Sequence, residues 1–215
     1  MKSIRLLIFD LDGTLVDSLE DITHSVNFTL GKLGRPVLHL DTVRKYVGDG
    51  MEMLLTRALG EHTDLLKEAI GIYTVHQSRN LVVRSRLYPG VKETLEHFQS
   101  LPMAVVTNKT LEFSEPLLEK LGIRPCFGMV IGADAGLPLK PAPDAFLKIM
   151  KSLGIAKEHT SVVGDGTTDM LAGRAAGITT CAVTYGFRSE EELRTVGPDH
   201  IIHTFAELTG LFRAS

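Results

Sequence analysis

Short apolar runs that end in polar residues recur along the chain and predict buried strands. The first covers residues 4–9, with Arg5 as its one polar interruption. Runs of this kind are typical of strands covered on both faces in a parallel sheet. Further runs lie at residues 103–106, 129–131, 161–163 and 179–183, and residues 201–202 predict an edge strand.

Apolar residues at helical spacing dominate the block 16–84. Ile22, Val26, Leu30 and Leu33 share one face of a first helix, which Gly34 and Pro36 end. We expect Asp41 to cap a second, short helix that ends near Val47. Two more helices are predicted at 51–59 and 63–79, and the block contains no predicted strand.

From residue 87 onward predicted strands alternate with helices, which end near residues 99, 121, 153, 176 and 195. Such alternation favours an α/β fold with a Rossmann-like, doubly wound parallel sheet. The helical block interrupts this rhythm and is therefore interpreted as an inserted α-helical cap domain. The predicted domains are a core of residues 1–15 and 85–215 and a cap of residues 16–84.

Composition narrows the classes of partner and the compartment. The 215 residues carry a formal net charge of −3, which argues against nucleic acid or an anionic membrane as main partner. No segment reaches transmembrane length, and the N-terminal run lacks the features of a signal peptide. Cys126 and Cys181 show no metal spacing and are expected to be small buried hydrophobes in a reducing cytosol, so we expect a cytoplasmic protein.

The most distinctive chemistry follows the first strand, where the chain reads Phe9-Asp10-Leu11-Asp12-Gly13-Thr14. Two carboxylates at i and i+2 of an extended segment point to one spot, and Gly13 allows the backbone to turn away. The spacing alone also fits a surface turn. Placed beyond a parallel strand, however, it favours a bound hard metal or a nucleophilic carboxylate beside an acid/base.

Four more polar groups lie where strands end or helices begin. Thr107 follows the second strand, where it could hold a phosphate or merely cap the next helix. Lys140 is fixed between Leu139 and Pro141, an environment unlike that of a solvated surface lysine. Asp165 and Asp169 form a second carboxylate pair at the fourth strand, although Asp169 also suits a helix N-terminus.

Together these motifs resemble the haloacid dehalogenase (HAD) superfamily of phosphohydrolases. The resemblance implies that Asp10 is the nucleophile and Asp12 the general acid/base. It implies that Thr107 and Lys140 bind the phosphoryl group. The cofactor would be Mg²⁺, held by Asp10, Asp165, Asp169 and the backbone carbonyl of Asp12.

Other segments resemble the phosphoglycolate phosphatase branch of that superfamily, notably residues 88–91, 105–109, 115–118, 130–132, 184–186 and 46–50. That branch usually has Lys where Leu139 stands and Ser where Gly166 stands. The resemblance implies a small phosphorylated metabolite as partner, with 2-phosphoglycolate the favoured substrate. Its hydrolysis would proceed through an aspartyl-phosphate.

Substrate discrimination is expected from the cap, above all from the Gly48-Asp49-Gly50 turn, together with Asn108 in the core. The two glycines allow backbone N–H groups to approach the leaving group, and the following helix could receive a carboxylate. Arg44 and Lys45 offer nearby positive charge, whereas Asp49 is expected to face away. Lys109 is expected to point along the start of the next helix.

Several alternatives stay open at this point. A sugar-phosphate phosphatase, a pyrophosphatase or a β-phosphoglucomutase-like phosphomutase would share every core motif. A receiver domain or another phospho-acceptor or binding protein is the alternative outside enzymes, but the chain is too long for a receiver and carries a helical insert. The protein is expected to be a monomer or a homodimer. His24 is expected to lie on a helix surface.

Overall fold

The computed structural model describes residues 1–214; residue 215, the last of the predicted core domain, lies outside them. The strands are β1 (Lys2–Ile4), β2 (Leu6–Phe9), β3 (Val16–Asp17), β4 (Arg86–Leu87), β5 (Met103–Val106), β6 (Met129–Ile131), β7 (Thr160–Gly164), β8 (Thr179–Val183), β9 (His200–Ile202) and β10 (Phe212–Ala214).

The helices alternate with these strands except where four of them follow one another between β3 and β4. They are α1 (Leu19–Lys32), α2 (Leu40–Tyr46), α3 (Met51–Leu59), α4 (Leu66–Arg79), α5 (Val91–His97), α6 (Leu111–Lys120), α7 (Asp144–Leu153), α8 (Thr167–Ala176), α9 (Glu190–Thr195) and α10 (Leu208–Leu211). Within residues 1–214, no helix is long and apolar enough to cross a bilayer.

A six-stranded parallel sheet forms the centre, in the order β6-β5-β2-β7-β8-β9. Strand β2, the first of this sheet in chain order, lies between β5 and β7, with Phe9 in register with both Val105 and Val163. Because all six strands run the same way, their carboxyl ends share one edge. The predicted α/β fold with a doubly wound parallel sheet and a helical insertion is confirmed.

Both faces of the sheet are buried, which explains the unbroken apolar runs. Leu6 and Ile8 of β2 pack into one cluster with α7 and α8, and Leu7 and Phe9 pack into the other. All four side chains are fully buried. The second cluster extends into the helices α1 to α4, which together with the loops between them are hereafter called the cap. One apolar core thus joins the cap to the sheet.

The predicted strand 4–9 is wrong as a single element. Arg5 is exposed, and its N–H donates to the carbonyl of His159, so the run divides there. Residues 2–4 pair with β10 in a separate two-stranded sheet. One exposed charged residue is enough to move the chain from one sheet to another.

The prediction that block 16–84 contains no strand is also wrong. Val16–Asp17 pairs with Arg86–Leu87 in an antiparallel ladder, and Asp17 forms an ion pair of 2.7 Å with Arg86. This ladder joins the two connections between cap and core. Two residues are too few to show a period of two, so only the tertiary pairing reveals them.

Three local expectations also need correction. His39, not Asp41, is the N-cap of α2, because its imidazole accepts the N–H of Asp41. The predicted helix at 63–79 starts with a short 3₁₀ turn before α4. Cys126 is half-buried, whereas Cys181 is buried as predicted.

A buried carboxylate fastens the end of the cap to its beginning. Asp21, in the first turn of α1, accepts the N–H groups of Val83, Arg84 and Ser85, and the Ser85 hydroxyl. Burial alone would raise the pKa of Asp21, but these donors together lower it. The ionised carboxylate thus holds the connection that leads from cap back to core.

Replacing Asp21 by Ala is expected to lower the free energy of unfolding by about 1–3 kcal/mol, because several donors lose their acceptor. Glu20→Ala is the matched control, since Glu20 makes only an exposed ion pair with Arg84, and should cost about 1 kcal/mol or less. Urea unfolding of both variants would measure the difference. Equal losses would contradict the assigned role of Asp21.

Candidate active site

The polar groups predicted from the sequence gather at the carboxyl edge of the sheet. Asp10 follows β2, Thr107 follows β5 and Asp165 follows β7, the three adjacent central strands. The Asp10 N–H donates to the carbonyl of Val163 at 2.9 Å, which extends the β2–β7 ladder to the nucleophile position.

Three aspartates form a carboxylate cluster. Oxygens of Asp10, Asp165 and Asp169 all lie within 4.8 Å of one another. Asp165 and Asp169 are buried, and the Asp10 side chain is 14% exposed. Asp10 is therefore the member of the cluster that a small ligand can reach.

Lys140 neutralises part of this cluster. Its ammonium donates to Asp10 Oδ1 at 2.7 Å, to Asp169 Oδ1 at 2.6 Å and to the Val106 carbonyl at 2.8 Å. The side chain is 3% exposed. Burial alone would lower the pKa of Lys140, but Asp10 and Asp169 outweigh it and raise that pKa, so the amine stays charged.

One lysine does not balance three carboxylates. Burial, with the charges of Asp169 and Asp165, raises the pKa of Asp10 to about 8 even though Lys140 opposes the rise. Burial and Asp169 likewise raise the pKa of Asp165 to about 6. The cluster therefore favours further positive charge.

The chain orients Asp165 and Asp169 closely. Asp165 exchanges hydrogen bonds with the hydroxyl of Thr14 and accepts the Phe187 N–H at 2.7 Å. Asp169 accepts the Gly166 N–H at 2.9 Å. A side chain at Gly13, whose φ is +87°, would lie 2.2 Å from Asp165 Oδ2, so the turn after the first motif requires glycine.

These residues fit a divalent magnesium ion. All the donors are hard oxygen atoms, which Mg²⁺ prefers. The raised pKa values of Asp10 and Asp165 show that the cluster lacks positive charge. The carboxylate of Asp12 is not part of this cluster, and the contribution of its backbone carbonyl stays a prediction.

Asp12 instead pairs with Lys109, which overturns the prediction that Lys109 points along a helix. Lys109 Nζ lies 3.1 and 3.0 Å from the two carboxylate oxygens of Asp12. The side chains are only 9% and 11% exposed. Ser18 also donates to Asp12. Helix α6 begins at Leu111, which leaves Lys109 in the preceding loop, free to turn into the site.

Asn108 has a positioning role that the sequence did not predict. Its amide donates to the carbonyls of Lys140 and Gly48 at 3.0 and 2.9 Å and accepts the Lys140 N–H at 3.0 Å. These bonds engage both amide hydrogens, so Asn108 fixes Lys140 and the cap turn. Thr107 is not a helix cap, because Thr110 is the N-cap of α6.

A second core residue, Arg188, also reaches the cap. Its guanidinium donates to the carbonyls of Arg44 and Val47 at 3.0 and 2.6 Å. The sequence offered only its place after the fifth predicted strand as a signal. The binding positions expected in the cap thus lie where Asn108 and Arg188 hold residues 44–48 against the core.

Two chambers open beside Asp10 and Asp12, and both are bordered by the turn at residues 47–48. An apolar chamber of about 540 Å³ is lined by Ile22, Met51, Leu54, Tyr73, Phe113 and also by Gly50, Thr107, Asn108, Lys109 and Thr110. An acidic chamber of about 460 Å³ is lined by Asp49, Asp165, Gly166, Thr167, Thr168, Asp169, Phe187 and Arg188. The two chambers share Asp10, Asp12, Val47 and Gly48.

Some predicted positions lie differently within this cleft. Asp49 borders the acidic chamber but not the apolar one, and its carboxylate forms an ion pair of 2.5 Å with Arg57. Arg44 and Lys45 border neither chamber. The exposed His24 lies on a helix surface, as predicted.

The fold and the carboxylate cluster are those of a hydrolase family that comparison with known sequences also identifies. The chain belongs to the haloacid dehalogenase-like hydrolase family, whose sequence model matches residues 7–183. The predicted family is therefore confirmed, as is the predicted enzyme class, a phosphoric monoester hydrolase.

Particular relatives are similar over nearly their whole length. The chain is 36% identical to a phosphoglycolate phosphatase of Colwellia psychrerythraea, covering 97% of this chain and 96% of that protein. It is also 36% identical to one from Nitrosococcus oceani, covering 98% and 97%. A crystal structure described as a predicted phosphoglycolate phosphatase from Haemophilus somnus superposes with a TM-score of 0.94 at 32% identity, over 98% of this chain and 99% of that one.

Proposed function

We propose that the protein hydrolyses a small phosphate monoester, 2-phosphoglycolate to glycolate, with Mg²⁺ and through an aspartyl-phosphate on Asp10. One observation carries this proposal above all. The carboxylate of Asp10 lines both chambers, where a small ligand can reach it, and pairs with the buried ammonium of Lys140. Asp12, two residues further along the chain, also lines both chambers.

The side chains divide the reaction into two steps. Asp10 attacks phosphorus, the bond to the leaving oxygen breaks, and Asp12 in its protonated form gives that oxygen its proton. Asp12, now ionised, then takes a proton from the water that attacks the acyl phosphate, which releases inorganic phosphate and restores Asp10. Lys140 holds Asp10 in place during both steps and brings positive charge to the phosphoryl end, while Thr107 binds a phosphoryl oxygen.

The metal site is proposed at the acidic chamber, which Asp10, Asp165 and Asp169 line. Asp10, Asp165, Asp169 and the backbone carbonyl of Asp12 would hold Mg²⁺. When bound, the ion supplies positive charge that offsets the repulsion between the nucleophile and a phosphate dianion. Asp165 and Asp169 are held ready by Thr14, Phe187 and Gly166, so little reorganisation is needed.

Two features support 2-phosphoglycolate as substrate. Relatives that share about a third of their residues with this chain carry the name phosphoglycolate phosphatase. The apolar chamber is also lined by Ile22, Val47, Met51, Leu54, Tyr73 and Phe113, which, apart from the Tyr73 hydroxyl, offer no hydrogen bond to the hydroxyl groups of a sugar. A sugar-phosphate phosphatase, a pyrophosphatase and a phosphomutase are the other outcomes of the test.

A panel of esters tests the substrate. We expect kcat/KM for 2-phosphoglycolate to exceed that for glucose 6-phosphate, β-glucose 1-phosphate and pyrophosphate by about 100-fold or more, a difference typical of sites built around a polar group. Higher kcat/KM on a sugar phosphate would instead favour a sugar phosphatase. Isomerisation of β-glucose 1-phosphate without release of phosphate would favour a phosphomutase.

Activity is expected to require Mg²⁺, with Mn²⁺ or Co²⁺ substituting and Ca²⁺ inhibiting, because the larger Ca²⁺ distorts an octahedral site. Steady-state turnover in EDTA, followed by re-addition of each ion, measures this requirement. Binding has an independent signature, since Mg²⁺ should raise the Tm of the wild type but not of Asp169→Asn. Full turnover in excess EDTA would contradict the proposal.

Three further expectations stay predictions. They are the domain limits at residues 16 and 84, a cytoplasmic location and a monomeric or homodimeric state. Size-exclusion chromatography with light scattering would determine the last of these.

A further inference from the structure

A second buried lysine lies in the cleft, away from the phosphoryl end. Lys109 borders the apolar chamber and is the one cation among the described residues that line it. The Lys109 side chain is 9% exposed, and its ammonium donates to both carboxylate oxygens of Asp12. A charge buried next to apolar walls is unfavourable unless it is compensated, and Asp12 supplies that compensation.

The two lysines of the cleft differ in how many donors are left over. All three N–H groups of Lys140 are used, by Asp10, Asp169 and the Val106 carbonyl. Within residues 1–214, Asp12 is the one acceptor of the Lys109 ammonium. Because an ammonium has three donors and Asp12 offers two oxygens, Lys109 retains a donor.

The other cations near the cleft are committed elsewhere. Arg188 borders the acidic chamber and donates to three carbonyls of the cap, those of Arg44, Lys45 and Val47. Arg44 lies beside Asp41 on the surface of α2. Neither can serve a ligand in the apolar chamber without giving up its partners.

We propose that Lys109 is the specificity residue that binds the carboxylate of the leaving group, while it keeps its contact with Asp12. This inference rests on the proposed function, since it takes the substrate to be an ester of a small hydroxy acid. Lys109 then links the group that identifies the substrate to the acid that protonates its leaving oxygen. A charge-assisted hydrogen bond in this sheltered chamber discriminates strongly, because a neutral group leaves the ammonium without its second anion.

Paired substrates test this role. The experiment compares kcat/KM for 2-phosphoglycolate with that for 2-hydroxyethyl phosphate, in which CH₂OH replaces the carboxylate. Lys109→Met removes the charge and keeps a long apolar side chain. Lys120→Met is the matched control, an exposed lysine at the end of α6.

The ratio of the two kcat/KM values is the quantity of interest. Loss of the Lys109–Asp12 contact, or of folded enzyme, affects both substrates and cancels in the ratio. We expect Lys109→Met to lower the ratio by about 100-fold, the scale of a lost charge-assisted contact, and Lys120→Met to leave it unchanged.

Failure of this inference differs from failure of the proposed substrate. If the wild type prefers 2-phosphoglycolate but Lys109→Met slows both esters equally, Lys109 acts only through Asp12 and the inference is overturned. If the wild type shows no preference, both the substrate and the carboxylate contact are overturned, while the phosphatase activity stands.

A binding measurement covers a variant too slow to assay. Calorimetry on Asp10→Asn, which cannot form the aspartyl-phosphate, gives the Kd of each ester. Adding Lys109→Met to this background should weaken 2-phosphoglycolate about 100-fold and 2-hydroxyethyl phosphate far less. Equal weakening of the two esters would overturn the inference.

Discussion

Asp10→Asn is expected to lower kcat by about 10⁴-fold or more, because an amide cannot replace the covalent nucleophile. The geometry limits any substitute for it. Asp165 and Asp169 are buried behind Asp10, and Asp12 is held by Lys109 and Ser18. No neighbouring carboxylate is free to attack in its place.

The assay is release of inorganic phosphate under saturating substrate and Mg²⁺, with the variant expressed in a phosphatase-depleted host. Asp64→Asn, at an exposed position of the cap, is the matched control and should keep full activity. Acid quenching during turnover should trap phosphate on the wild type and not on Asp10→Asn. Activity of the variant within tenfold of the wild type would sink the nucleophile assignment.

The same substitution should not unfold the protein. A carboxyl whose pKa is raised in the folded state contributes stability that is fully present below its unfolded pKa, about 4, and is lost progressively as pH rises to the folded value. Burial sets that folded pKa at about 8 for Asp10. In metal-free buffer, Asp10→Asn should therefore gain stability relative to the wild type between pH 5 and pH 8, measurable by urea unfolding.

The sequence predicted the sheet well because its inner strands are buried on both faces. Residues 103–106, 129–131 and 179–183 match β5, β6 and β8, for there the local pattern and the tertiary environment agree. The position of Asp10 and Asp165 at one edge followed from the same fact, since parallel strands end together. The parallel order of the strands brings residues that are far apart in the sequence together at this edge.

What the sequence could not give depends on contacts between distant segments. Nothing local indicates that Lys109 turns back to Asp12, which precedes it by nearly a hundred residues, or that Arg188 reaches the carbonyls of residues 44–47. The amide of Asn108 is similar, for its partners Gly48 and Lys140 come from cap and core. These three side chains connect segments that are far apart in the sequence, so only the folded structure shows which partners they contact.

Two chambers that share Asp10 and Asp12 would allow the phosphoryl chemistry and the selection of the leaving group to occupy different sides of the site. The acidic chamber contains the proposed metal ligands, so changes there should affect every ester alike. We propose that the apolar chamber holds the leaving group, so the effects of substitutions there should depend on the charge of that group. Lys140 donates to Asp10 and Asp169, which line the acidic chamber, whereas Lys109 lines the apolar chamber, so the two lysines can be compared directly.

Lys140→Met is expected to lower kcat/KM by about 10³-fold on 2-phosphoglycolate and on 2-hydroxyethyl phosphate alike, because it removes charge stabilisation from the phosphoryl end. It leaves Asp10 and Asp169 without the ammonium that lies 2.7 and 2.6 Å from them. Breaking a buried ion pair on one side costs about 3–5 kcal/mol, so a lower Tm is expected as well. Activity must therefore be normalised to the folded fraction. Lys148→Met, at an exposed position of α7, is the matched control.

The loss of kcat/KM in Lys109→Met should, by contrast, depend on whether the substrate carries a carboxylate. If Lys140→Met discriminated between the two esters and Lys109→Met did not, the two lysines would have to exchange their assigned roles.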